Sequence, residues 1–122
     1  MKQKILIIDD EVDFCLIMRS YFMKKGYEVS SAYTLKEGLA LYKEIRPDIL
    51  FLDNNLPDGN GWDAVGEAVE IIPQIRAYLV SAHRNNSPHA RQHKNIVIWE
   101  KPISLGMLDA VFDGLSSDQA KG

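Results

Sequence analysis

Asp48-Ile49-Leu50-Phe51-Leu52-Asp53-Asn54-Asn55-Leu56-Pro57-Asp58-Gly59-Asn60-Gly61 runs four apolar residues into a carboxylate and follows them with a turn containing proline and glycine. An uninterrupted apolar run bounded by turn residues suits a strand buried on both faces, as in a parallel sheet, better than a strand with one wet face. Asp53 then stands at that strand's C-terminal end. Ligands of open α/β sheets bind outside the C-termini of the strands, so a carboxylate delivered there is a candidate for chemistry.

Upstream, residues 4–8 read as a first strand that stops at a second pair of carboxylates, Asp9 and Asp10. From 12 to 25 the spacing predicts a helix, with Cys15, Met18 and Phe22 on one face and Phe14, Ile17 and Tyr21 on a neighbouring one. That arc is wider than a single sheet contact needs. Gly26 ends the helix and residues 27–31 form a second, weaker strand. Thr34 and Glu37 have capping-box spacing, opening a helix whose inner face carries Leu35, Leu39 and Tyr42 and which closes at Arg46-Pro47.

Downstream, Trp62, Val65, Val69 and Ile72 recur at helical spacing until Pro73. Residues 76–80 form a fourth strand ending at Ser81, and 96–99 a fifth, followed by Glu100, Lys101 and Pro102. Between them, only a short helix starting near Ser87-Pro88 is expected. Leu105, Leu108, Val111 or Phe112, and Leu115 mark a last helix capped by Ser104. Strands and helices therefore alternate five times, which predicts a three-layer α/β domain around a parallel sheet. The expectation is one domain over 1–122, with a core from 4 to 115 and a polar tail from 116.

Composition narrows the function classes. The formal net charge of -3 over 122 residues gives no pull toward nucleic acid or anionic membrane. Cys15, the single cysteine, excludes an internal disulfide and reads as a buried thiol. The apolar run at 5–8 is too short to span a membrane, so a cytoplasmic protein is expected. His89 and His93 have i, i+4 spacing with His83 nearby, and Arg84, Arg91 and Lys94 form a basic patch. Without aromatic interleaving or a recognition helix, both read as solvated surface.

Parallel strands point one way, so the residues past their C-termini converge: Asp9, Asp10, Asp53, Ser81 and Lys101. Three carboxylates against one ammonium disfavour joint ionisation. A divalent cation resolves the conflict, and oxygen donors without nearby Cys or His favour a hard ion such as Mg2+. With such an ion and a lysine to neutralise phosphoryl oxygens, a carboxylate can act as nucleophile and form an aspartyl-phosphate.

Asp9-Asp10, the segment from Asp53 to Gly61, Ser81-Ala82 and Lys101-Pro102, in that order, resemble a bacterial response-regulator receiver domain from Ile5 to about Leu115. The resemblance implies a flavodoxin-like (βα)5 fold with strand order 2-1-3-4-5. It also implies Asp53 as phosphoacceptor, with Asp9, Asp10 and the backbone carbonyl of Asn55 holding Mg2+. Lys101 would contact the phosphoryl group, through a cis Lys101-Pro102 bond, and Ser81 would turn its hydroxyl toward it. The partners implied are a sensor histidine kinase or histidine phosphotransfer protein, docking on Phe14, Ile17 and Ile103. A phosphorylation-dependent dimer is left open.

One position departs from the family pattern. Ile98 stands three residues before the lysine, where an aromatic side chain commonly reports phosphorylation, and the adjacent Trp99 points to the opposite face of a strand. The competing readings are a receiver-like docking module with little switching, an aspartyl phosphatase and a flavin- or nucleotide-binding module. The phosphatase usually needs a second carboxylate where Asn55 stands. In the nucleotide module, Asp9-Asp10-Glu11 would repel phosphate.

Overall fold

The computed structural model describes residues 2–82 and 95–113. In chain order these form β1 (Lys4–Ile8), α1 (Val12–Lys24), β2 (Glu28–Ala32), α2 (Leu35–Ile45) and β3 (Ile49–Asp53). One 3-10 turn (Gly61–Ala64) leads into α3 (Val65–Ile71), followed by β4 (Arg76–Ser81), β5 (Ile96–Glu100) and α4 (Leu105–Phe112). The five strands make one parallel sheet in the order β2-β1-β3-β4-β5, as expected from the sequence.

Alternation along the strands divides the core in two. Leu6, Ile8, Leu50, Leu52 and Leu79 face the layer containing Tyr42 of α2 and Val65 and Ala68 of α3. Ile5, Ile7, Phe51, Tyr78 and Val80 face Cys15, Met18 and Phe22 of α1 and Leu108 and Phe112 of α4. All five residues of β3 are buried, which is the signature of a strand covered on both sides. Each fully buried Ile, Leu or Phe stabilises the fold by about 1.5–3 kcal/mol relative to exposure.

Helix ends follow their local chemistry. Thr34 accepts a hydrogen bond from Glu37 N at 3.1 Å, while the Glu37 carboxylate reaches Tyr33 N, one residue further back than a standard capping box. Ser104 caps α4 by accepting from Met107 N. Gly26, at φ 92°, carries the chain out of α1 through the left-handed region that a side chain disfavours.

Several sequence expectations shift. β2 begins at Glu28, because Tyr27 is buried with its ring edge-on to Phe22 instead of extending the strand. The buried row of α2 is Gly38 and Tyr42, with Leu39 only half covered, since Gly38 sits directly on Ile8 and sets which row meets the sheet. Leu105 is exposed, so the inner face of α4 starts at Leu108. The helix expected near Ser87-Pro88, the histidine and basic cluster, Leu115 and the tail lie outside the described residues.

Candidate functional site

Each site residue is placed by backbone bonds that join neighbouring strand ends. Asp9 N donates to Ala32 O of β2, Asn54 N to Val80 O of β4, and Lys101 N to Ser81 O at 2.7 Å. Gly61 N donates to Asn54 O, folding the turn after β3 back on itself. A side chain at Gly61 would bring Cβ within 2.1 Å of the Asp53 carbonyl oxygen, so this close approach requires glycine. These bonds bring all five expected residues to one edge. Asp10, Asp53, Asn55, Ser81 and Lys101 line a single cleft of about 740 Å³, floored by the loop from 54 to 60, with Asp9 beside it.

Carboxylate oxygens of Asp9, Asp10 and Asp53 lie within 4.8 Å of one another. Asp9 is 1% exposed, Asp53 6% and Ser81 2%, whereas Asp10 is open to solvent. Asp9 Oδ1 accepts from Glu11 N at 2.9 Å. Its Oδ2 is buried without a hydrogen bond of good geometry, so the Lys101 Nζ contact at 2.9 Å is an ion pair rather than an aligned bond. Burial pushes the Asp53 carboxyl up to about 6, and the Asp9 charge adds to it, against pull-back from Lys101 and from the Asn55 N–H. Burial likewise raises Asp9 above the usual carboxylate range, more than the Glu11 N–H and Lys101 lower it.

A buried carboxylate oxygen without an aligned donor, inside a group of three oxygen-bearing acids, suits a hard divalent cation. The Cys15 thiol donates to Asp9 O, and burial pushes it up to about 12, with the Asp9 charge adding to the rise.

Lys101 differs from expectation in its company. Its ammonium is held between Asp9 and the Glu11 carboxylate, 4.6 Å from the centre of the Phe14 ring. Burial works against its charge, but Glu11 and Asp9 outweigh it and keep the pKa above the ordinary lysine value. The sequence placed Glu11 in the acidic run after β1 that would repel phosphate, but did not pair it with Lys101. Of the expected docking residues, Ile17 is 60% exposed, while Phe14 and Ile103 are half-buried against the α1 and α4 core. The Lys101-Pro102 bond is cis.

Among the described residues no helix is long and apolar enough to cross a membrane. The sequence is 35% identical over 83 residues to the chemotaxis protein CheY of Thermotoga maritima, a match covering 67% of this chain and 69% of that protein. The fold superposes on a CheY-like receiver domain from Methanospirillum hungatei with a TM-score of 0.81, at 24% identity and full coverage of both chains. A response regulator protein from Burkholderia pseudomallei, described with a phosphorylated aspartic acid, a calcium ion and citrate, gives a TM-score of 0.74 at 21% identity, covering 98% of this chain and 72% of that one. The profile of the response regulator receiver domain matches residues 5–111, and the chain belongs to that family of two-component signalling domains.

Proposed function

We propose that the chain, as a single receiver domain, accepts a phosphoryl group on Asp53 from a phosphohistidine of a sensor kinase or phosphotransfer protein, in a Mg2+-dependent reaction. The observation that carries the reading is the grouping of Asp9, Asp10 and Asp53 within 4.8 Å, beside Lys101 and on the cleft that Ser81 also lines. Asp9, Asp10, Asp53 and the Asn55 carbonyl would hold Mg2+, which when bound neutralises phosphoryl charge and favours the ionised form of Asp53. A carboxylate oxygen of Asp53 would form the new bond to phosphorus as the P–N bond of a phosphohistidine protonated on its other ring nitrogen breaks, leaving neutral histidine. Lys101 has to turn from Glu11 to meet a phosphoryl oxygen, and Ser81 offers its hydroxyl from the end of β4. Calcium and phosphoaspartate in the Burkholderia protein support a divalent ion and an acyl phosphate on this fold.

In this reading the domain is a phosphoacceptor and not a turnover enzyme. The exposed side chain of Ile17 and the half-buried Phe14 and Ile103 would present the docking face to the histidine-bearing partner. Incubation with Mg2+ and acetyl phosphate should add one phosphoryl mass to the wild type and none to Asp53→Ala, read by intact mass spectrometry. An adduct that persists in the variant would remove Asp53 from its role.

A receiver-like binding module with little phosphorylation-driven switching is favoured by one observation. Ile98 is half-buried against the core on the Leu79 face of the sheet, and Trp99 is 9% exposed on the other face, packed on Tyr78 and Phe51. Neither supplies an aromatic ring free to change rotamer at the sheet edge. An adduct unaccompanied by any change in hydrogen exchange would favour this module.

A further inference from the structure

The loop that floors the cleft is fastened to a helix that contributes nothing to the cleft itself. Residues Asn55–Leu56 and Gly59–Asn60 pair as a two-residue antiparallel ladder, with Pro57 and Asp58 at its turn. Asp58 Oδ1 accepts from Leu35 N at 2.7 Å and Oδ2 from Lys36 N at 2.9 Å. Those two amides belong to the first turn of α2, where helix geometry leaves N–H groups without partners. Thr34 caps the same turn through Glu37 N, so the helix already has a local cap. Asp58 reaches it from 23 positions along the chain.

At the other end of the ladder, the Asn55 N–H is close enough to the Asp53 carboxylate to lower its pKa, and Asn55 and Asp53 line the same cleft. The ladder is two residues long, so a displacement of its turn is carried to Asn55. Charge-assisted bonds to paired amides are short and directional, which suits them to fixing a position.

We propose that Asp58 is a positioning residue: by gripping the first turn of α2 it fixes the Asn55 backbone at the acidic cleft, and so couples the N-terminus of α2 to divalent-cation binding. This rests on the receiver reading above. A coupling of this kind is reciprocal, so a bound cation must in turn tighten the grip on α2.

Titration of the full chain with Mg2+ by calorimetry, at about 0.3 M salt where exposed charges are screened beyond about 6 Å, separates positioning from bulk charge. Asp58→Ala should weaken Mg2+ binding by about tenfold or more, as groups that orient metal ligands do. Thr34→Ala, which takes a different cap from the same helix, should leave it within about twofold. Both variants should lower the urea midpoint. Asp58→Asn, which keeps one acceptor oxygen, should fall between the wild type and Asp58→Ala. In the wild type, Mg2+ should slow hydrogen exchange at the Leu35 and Lys36 amides, and Asp58→Ala should lose that response.

Equal affinity in all the proteins, or equal losses in Asp58→Ala and Thr34→Ala, would reduce Asp58 to an ordinary helix cap and overturn the proposal. A wild type that takes up no Mg2+ would overturn the receiver reading as well. That result is recognised before any variant is compared.

Discussion

At the scale of a single residue, Asp53 has an inverted relation between pH and stability. Its carboxyl holds its proton to about pH 6 in the folded chain, against an ordinary value of 3.8. Between those values the folded state binds more protons than the unfolded one, so its contribution to stability falls as pH rises. Asp9, also raised by burial, adds in the same direction. Asp58 works oppositely: its bonds to Leu35 and Lys36 lower its pKa, so its contribution is lost as pH falls. Comparison of wild type with Asp53→Asn isolates the first effect. In EDTA, the melting temperature of the wild type should fall relative to the variant between about pH 4 and pH 6, leaving Asp53→Asn the more stable at pH 7.5. Parallel curves would mean that the carboxyl ionises as it does in water.

At the scale of elements, the contact between α2 and β1 rests on the absence of a side chain. A Cβ on Gly38 would lie 2.5–2.8 Å from three side-chain carbons of Ile8. Alanine in a helix gains about 1 kcal/mol over glycine. Overpacking typically costs about 1–3 kcal/mol and should win here, because Ile8 is a fully covered core residue. Gly38→Ala should therefore lower stability in urea unfolding. The double variant with Ile8→Ala should be less destabilised than the sum of the single changes, by about 1 kcal/mol or more. Strict additivity would show that the helix simply shifts outward. The same contact marks where sequence reading stopped: periodicity finds an apolar face but not which of its rows touches the sheet, so Leu39 and Leu105 were expected inside. Ile49–Asp53 was legible because both of its faces are apolar, and Asp9, Asp10, Asp53, Ser81 and Lys101 because strand polarity alone gathers them. Glu11 and Asp58 act through partners 90 and 23 positions away, which no local pattern contains.

At the scale of the whole molecule, the sheet separates two cores that should report on different events. Trp62 lies in the α2 and α3 core with Nε1 donating to Leu52 O at 3.3 Å, on the residue before Asp53. Trp99 lies in the opposite core, its ring 4.7 Å from Tyr78 and 6.4 Å from Phe112. Mg2+ should change the fluorescence of Trp99→Phe, which retains Trp62, and leave that of Trp62→Phe nearly unchanged. The reverse pattern would place the cation's influence on the wrong side of the sheet. Cys15 sits in that second core, directly beneath Asp9, with a thiol pKa of about 12. Burial holds the group as the thiol, and the thiolate is the form that reacts with oxidants and disulfides. The chain's single cysteine is thus held as an unreactive thiol beneath the acidic cleft.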